Sequence, residues 1–186
     1  MTTPSPVRTR ILDTAAALFY SEGIRTVSAD RIIADAATTK VTFYRHFRTK
    51  EELVVAYLQG QSDRIRAAAA EKLSEDPCTG LLQLAEAMGA ETCIPGFRGC
   101  PFINAAAEYA DAGSPVRAVV RDHRQWLHAE VSRRVAQLGA TDPDAVADQL
   151  LMLRDGAMVH GYVAGPAGVS TSLVSAGRAI LGAALR

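Results

Sequence analysis

The chain has 186 residues, 48% of them apolar and 22% charged, which predicts a soluble globular protein of one or two domains and excludes a disordered chain. The formal net charge is zero, but residues 1–50 carry eight Lys or Arg against four Asp or Glu. A basic head on an acidic body indicates a polyanion as partner of the head. Three cysteines argue against a disulfide framework, and no uninterrupted apolar stretch of about 20 residues is present to span a membrane. The first ten residues lack the apolar segment of a secretion signal, so we expect a cytoplasmic protein.

Apolar residues recur at helical spacing along the whole chain, and no strand-like alternation competes with them. The pattern predicts an all-α fold with helices over about 7–21, 28–36, from 39, 49–73, 80–92, 102–110, 115–138, 143–165 and 170–185. Gly23 is expected to end the first helix, Ser28 to cap the second, and Thr49 with Glu52 to form a capping box. We expect Asp76 and Pro77 to end the long fourth helix. The predicted domains are 1–48, an N-terminal three-helix helix-turn-helix, and 49–186, a larger helical regulatory domain for ligand binding and dimerisation.

The third helix lies within "TTKVTFYRHF", residues 38–47. At about 100° per residue, Phe43 and Phe47 point to one side of that helix, while Val41 and Arg45 point to the other. Two short helices after a longer one have the dimensions of a helix-turn-helix, and an exposed valine beside a guanidinium suits the major groove of DNA. Thr42 and Tyr44 flank this face, and phosphate contacts are expected from Lys40, Tyr44, His46 and Lys50. The alternative is an ordinary aromatic core with a solvated charged face.

Residues 11–54, "ILDTAAALFYSEGIRTVSADRIIADAATTKVTFYRHFRTKEELV", resemble the DNA-binding region of the tetracycline-repressor (TetR) family. The shared features are a helix, a glycine, a second helix, then Lys-x-Thr-aromatic-Tyr-x-x-Phe and Lys-Glu-x-Leu. The resemblance implies contacts with double-stranded operator DNA, and Ser28 would face a phosphate. The other positions so implied are Thr38, Thr39, Lys40, Val41, Thr42, Tyr44, Arg45, His46 and Lys50. Ala37 and Val41 depart from the family, which commonly has glycine at both positions.

Between residues 156 and 185, which cover the end of the eighth helix and the ninth, the only charged residue is Arg178, which indicates an apolar surface that needs a partner. The resemblance implies a homodimer on a two-fold related operator, and pairing these helices with their copies would make a four-helix interface. The candidate contacts are Leu150, Met158, Leu173, Gly177, Ile180 and Ala184. The alternative is that both helices belong to the internal core.

By resemblance, a small-molecule effector in the helical body moves the long helix after Thr49 and releases a repressor from its operator. An activator is the other reading. Pockets are mostly apolar with a few polar groups, and ordinary core is the competing interpretation of each candidate. The residues predicted to line the effector pocket are Met88, Cys100, Phe102, Asn104, Glu108, Trp126, Met152, Met158 and Tyr162. Asn104 and Glu108 carry more weight because buried polar groups need partners.

Other functions find less support in the sequence. Cys93 and Cys100, with Arg98 nearby, offer a redox-responsive alternative because a nearby cation favours the reactive thiolate, although a loop joining two helices explains the segment more simply. His123 and His128 are five residues apart, a spacing that does not stack them on a helix, so we expect no metal site. No catalytic motif is recognisable, so neither an enzyme nor a cofactor is expected. A helical adaptor whose basic head binds an acidic protein would explain the uneven distribution of charge along the chain. It would not explain an outward Val41 beside Arg45.

Overall fold

The computed structural model describes residues 5–185, and within that range every regular element is an α-helix. The predicted all-α fold class is confirmed. The helices are α1 (Pro6–Glu22), α2 (Ala29–Asp35), α3 (Lys40–His46), α4 (Lys50–Lys72), α5 (Pro77–Thr92), α6 (Pro101–Glu108), α7 (Pro115–Gln137), α8 (Pro143–Val163) and α9 (Val169–Ala184). No helix among the described residues is long and apolar enough to cross a membrane.

The chain divides into two compact units. Unit 1 comprises Met1–Arg64 and Pro101–Arg121, and unit 2 comprises Ile65–Cys100 and Asp122–Arg186. A functional boundary after residue 48 stays a prediction, and the first four residues and Arg186, which the predicted domain ranges include, lie outside the described residues.

Local capping chemistry sets the helix ends. Gly23, at φ 92°, ends α1 in a backbone conformation that costs glycine little. The hydroxyl of Ser28 accepts the Arg31 N–H at 3.1 Å and starts α2. Thr49 accepts the Glu52 N–H at 3.0 Å, while the Glu52 carboxylate reaches back to the N–H of Arg48, one residue earlier than in a standard capping box.

The expectation that Asp76 and Pro77 end the long helix was wrong. The fourth helix ends at Lys72, and the Asp76 carboxylate accepts the Thr79 N–H at 2.8 Å, so it caps the start of α5. Pro77 takes the first helical position, where its missing N–H costs nothing. Asp76 and Pro77 therefore begin α5 and do not end α4.

The core of unit 1 joins α1, α2, α3 and the first turns of α4. Phe43, Phe47, Ile32 and Leu53 are fully buried there. The ring of Phe19 lies 5.8 Å from that of Tyr57, which adds an aromatic contact between α1 and α4. We call α1, α2 and α3, Pro6–His46, the headpiece.

The core of unit 2 is aliphatic and lies among α5, α7, α8 and α9. Its buried members are Leu127, Val131, Val135, Val146, Ala147 and Leu151. Gly89 allows α5 and α9 to approach closely, because a Cβ there would lie only 2.5 Å from the Cβ of Ser170.

Candidate functional site

The third helix divides its side chains between core and surface. Phe43 and Phe47 are fully buried, whereas the side chain of Val41 is 79% exposed and Arg45 is also exposed. The orientation predicted from helical periodicity is therefore confirmed. A valine held out to solvent beside a guanidinium suits contact with a thymine methyl and a guanine edge.

The first turn of α3 presents a hydroxyl donor. The Thr39 hydroxyl caps the helix by accepting the Thr42 N–H at 3.2 Å, and it donates to the Thr42 hydroxyl oxygen at 2.9 Å. Thr42 thus has its own O–H left to donate outward. The ammonium of Lys40 lies 3.7 Å from the Asp30 carboxylate. An exposed ion pair of this kind contributes little free energy, so the ammonium can leave it to contact a DNA phosphate.

The other residues predicted to contact DNA, three on α3 and Lys50 at the start of α4, differ in how exposed their side chains are and in whether they are already paired. Arg45 takes part in no ion pair among the described residues, and Tyr44 is 40% exposed with its ring edge-on to Phe43 at 5.2 Å. The Nε2 atom of His46 is buried and has no hydrogen-bond partner within the described part of the chain, although the residue as a whole is half-buried. Lys50 is half-buried, with its ammonium 5.9 Å from the centre of the Phe19 ring. Burial lowers the pKa of Lys50, and Glu108 opposes that shift.

The turn between α2 and α3 contains Ala37 at φ 45°. This left-handed conformation strains a residue that has a Cβ, which agrees with the departure from the family's glycine noted above. Neighbouring bonds hold the turn in place: Arg10 donates from Nε to the Ala36 carbonyl at 2.8 Å, and the N–H of Thr38 donates to the Ile33 carbonyl at 3.1 Å.

Replacing Ala37 with glycine is expected to stabilise unit 1 by about 1 kcal/mol, because it relieves the left-handed strain while adding some flexibility to the unfolded chain. Thermal unfolding of the two proteins checks this. Ala34→Gly, an exposed change inside α2, is the matched control and is expected to destabilise by a similar amount. A loss of stability in Ala37→Gly would contradict the strain argument.

Glu108 has partners within unit 1. Its two carboxylate oxygens accept the N–H groups of Ile24 and Arg25 at 2.9 and 2.6 Å, in the loop that follows α1. Helix α6 therefore holds the headpiece loop through charge-assisted hydrogen bonds. The 84-residue separation from Ile24 leaves no local signal in the sequence that would reveal this pairing.

Unit 2 contains an apolar cavity of about 130 Å³. We call it the α5–α9 cavity; it is lined by Cys78, Leu81, Leu82, Leu84, Ala85, Met88, Val131, Leu150, Leu151, Leu153, Arg154, Leu173, Val174, Gly177, Arg178 and Leu181. Of the nine residues predicted to line an effector pocket, Met88 lies in this lining. Three predicted dimer contacts, Leu150, Leu173 and Gly177, line it as well.

The other predicted pocket residues are dispersed. Met152 and Tyr162 are exposed, whereas Met158, Cys100 and Phe102 are buried. Asn104 and Trp126 are half-buried. The predicted dimer contacts Ile180 and Ala184 pack against the aliphatic core of unit 2. The role of each as a contact stays a prediction.

A cationic cluster that the sequence reasoning overlooked lies beside the α5–α9 cavity. Arg154 donates to the Asp155 carboxylate at 2.9 Å and to the Cys100 sulfur at 3.4 Å, and Arg124 pairs with the same carboxylate. Burial, helped by Arg154 and two other arginines, lowers the pKa of the buried His123 to about 4. The available signal was a pair of charges, Arg154 and Asp155, inside the apolar run "LLMLRDGAM".

One face of α8 remains apolar and uncovered. Met152, Val159 and Val163 are 66%, 51% and 75% exposed, and with Gly156 they follow a spacing of four, three and four residues. That spacing places them on one side of the helix. A groove between α8 and α9, lined by residues that include Met152 and the small Ser172, adjoins this face. An apolar stripe of this kind marks an interaction surface.

All three cysteines are free thiols; Cys78 and Cys93 are exposed and Cys100 is buried. Among the described residues, no group of three or more His, Cys, Asp or Glu side chains is arranged to hold a metal ion.

Comparison with known proteins gives one family match and several similar structures. Residues 11–57 match the bacterial regulatory proteins of the tetR family. The chain is similar to a TetR-family transcriptional regulator from Streptomyces coelicolor, with 40% identity, 97% of this chain and 96% of that chain covered, and a TM-score of 0.91. A search of curated protein sequences finds no match.

Two further structures share the fold. A TetR transcriptional regulator from Streptomyces avermitilis is 27% identical over 97% of this chain and 98% of that chain, with a TM-score of 0.88. Escherichia coli NemR in its reduced form is 20% identical over 94% of this chain and 97% of that chain, with a TM-score of 0.81, which is a likeness of fold alone.

Proposed function

We propose that this chain, which belongs to the TetR family of transcriptional regulators, is a repressor that binds a palindromic operator as a homodimer and is released by a small-molecule effector. Its relatives are regulators, so the expectation that it is not an enzyme is confirmed by its family. We place its activity in the cytoplasm, where operator DNA is accessible.

The observation that carries the proposal is the two-sided character of α3. Phe43 and Phe47 are buried in the core of unit 1, and the opposite face of α3 offers Val41, Thr42 and Arg45 to the major groove. Lys40 and Tyr44 lie at the edges of that face and are suited to phosphates. The proposed DNA contacts also include Ser28, Thr38, Thr39, His46 and Lys50.

Dimerisation is proposed through α8 and α9. The exposed apolar face of α8 supports it, because pairing with a second copy would remove Met152, Val159 and Val163 from water. The small side chains of α9 beside the groove allow close approach of a partner helix. In a symmetric pair, each copy offers the same face to the other, and the two recognition helices are presented at a fixed spacing.

Effector release follows from linkage. If a ligand favours a distance between the two headpieces that does not fit successive major grooves, it must weaken DNA binding. By reciprocity, DNA must weaken ligand binding by the same factor. The proposed path runs through α4, which begins at Lys50 directly after the headpiece and continues into unit 2.

A second candidate trigger is thiol oxidation at Cys100. One observation favours it: the sulfur accepts a hydrogen bond from the Arg154 guanidinium at 3.4 Å, so a cationic side chain contacts this cysteine directly. Cys93 is exposed and would serve as the resolving thiol. Operator binding measured before and after oxidation, with and without Cys100→Ser, separates this trigger from a non-covalent effector.

The proposed function is tested by replacing Arg45 with alanine. A base contact from this residue contributes about 1 to 3 kcal/mol, so operator affinity is expected to fall roughly 5- to 150-fold and discrimination at one base pair to relax. The control is Arg64→Ala, which removes the same charge from an exposed position on α4. Equal loss in both variants would mean that only general charge attraction is measured.

A further inference from the structure

The α5–α9 cavity is aliphatic in character. Its lining consists mostly of leucine, valine, alanine and methionine, and the described residues that form it include no aromatic ring. Its volume of about 130 Å³ is close to the roughly 150 Å³ of a dry engineered cavity that binds benzene. A chain of about six carbon atoms therefore matches the space better than a large drug-like molecule does.

The polar lining of the cavity is cationic. In the part of the chain that the structure describes, Arg154 and Arg178 line it and no carboxylate does. Arg178 is exposed on α9, whereas the side chain of Arg154 is only 12% exposed. A nearly buried guanidinium in an aliphatic wall costs free energy unless an anion balances its charge and acceptors bind its N–H groups.

Within the described chain, Arg154 has fewer hydrogen-bond acceptors around it than N–H donors. It has five N–H donors, of which one meets Asp155 and another meets the Cys100 sulfur, while its Nε is buried without a partner. Asp155 is also shared with Arg124, so one carboxylate serves two guanidinium groups. Glu91 lies within electrostatic reach of Arg154 but makes no hydrogen bond to it among the described residues.

We propose that the α5–α9 cavity is the effector site and that it binds a short aliphatic carboxylate, with the alkyl chain among the leucines and the carboxylate on Arg154. This inference rests on the proposed function, because it names the chemical class of that effector. A carboxylate supplies the missing anion and accepts two parallel N–H bonds from a guanidinium. Arg154 also donates to the sulfur of Cys100, the residue directly before α6. Because Glu108 of α6 accepts hydrogen bonds from the loop after α1, a ligand bound to Arg154 can influence the headpiece through α6.

The test is isothermal titration of the full-length protein with hexanoate, hexan-1-ol and hexylamine. The expected result is saturable binding of hexanoate at least about tenfold tighter than hexan-1-ol, with hexylamine weakest, because a charge-assisted bond is about twice as strong as a neutral one. Similar affinities for the acid and the alcohol, or no binding of the acid, would overturn the proposal. This ligand series needs no variant and so does not depend on a variant's folding.

Two pairs of variants locate the site. Arg154→Met is expected to remove the preference for the acid, whereas Arg121→Met, an exposed change on α7, keeps it. Ala85→Leu fills the cavity and is expected to abolish binding, whereas Ala87→Leu, exposed on the same helix, leaves binding intact. Circular dichroism confirms that each variant is folded. Wild-type affinity in folded Arg154→Met would overturn the assignment.

Operator binding separates this inference from the function on which it rests. Saturating hexanoate is expected to weaken operator affinity at least about fivefold, the lower end of typical coupling between sites. If an operator is bound but hexanoate neither binds nor releases it, the carboxylate effector is wrong and the regulator remains. If hexanoate binds as expected but no DNA sequence is preferred, the cavity assignment stands as a ligand site and the proposed function fails.

Discussion

Replacing Phe43 with alanine is expected to lower the free energy of unfolding by about 3 to 5 kcal/mol. The side chain is fully buried in the core of unit 1, and its ring lies 6.3 Å from the Phe47 ring. Its truncation leaves a cavity in a headpiece too small to collapse around it. Urea unfolding followed by circular dichroism measures the loss, and operator binding is expected to disappear with the helix's orientation.

Val41→Ala is the matched control, since it truncates an aliphatic side chain on the same helix that is 79% exposed. Its stability is expected to stay within about 0.5 kcal/mol of wild type. Operator preference should nevertheless change, because a thymine contact is lost. Equal destabilisation by both variants would contradict the two-sided description of α3.

Replacing Val159 with glutamate is expected to abolish the dimer. In the proposed interface this side chain meets its symmetry mate's surface, so each dimer would bury two uncompensated charges, each costing about 3 kcal/mol or more. Together the two charges cost about 6 kcal/mol or more, so the dimer dissociation constant should rise by at least about 10,000-fold. Analytical ultracentrifugation measures the change, and operator affinity should fall with it because a monomer contacts only one half-site.

Gln125→Glu adds the same charge at an exposed position on α7 and is expected to leave the dimer unchanged. A dimer that persists in Val159→Glu would mean that the exposed face of α8 has another partner. A chain that is monomeric without any substitution would remove the homodimer from the account.

The headpiece was predictable because its information is local. Helical periodicity separates Phe43 and Phe47 from Val41 and Arg45 without any knowledge of the fold, and the buried and exposed fractions agree with it. Cap residues such as Ser28 act over three or four positions, which a sequence displays directly. The same logic failed at Asp76 and Pro77, because a helix breaker and a helix start use the same residue types.

The α5–α9 cavity was less predictable because it depends on long-range packing. A Glu in an apolar helix signals a buried carboxylate, but only the fold reveals that Glu108 meets the backbone of Ile24 and Arg25. Arg154 was overlooked because charges on helices are usually solvated. Periodicity also identifies the apolar residues of α8 and α9. It does not distinguish those that are buried in the core, such as Met158, from those that face outward, such as Val163.

Selection of bound sequences from random double-stranded DNA tests the central claim most directly, followed by affinity measurements at several salt concentrations. The account predicts an enriched palindrome with half-sites about one helical turn apart or slightly more, because two recognition helices related by a two-fold axis read successive major grooves. Binding that is weak, steeply dependent on salt and without any enriched sequence would contradict it. The basic headpiece would then be a general polyanion site, and an acidic protein would become the partner to test.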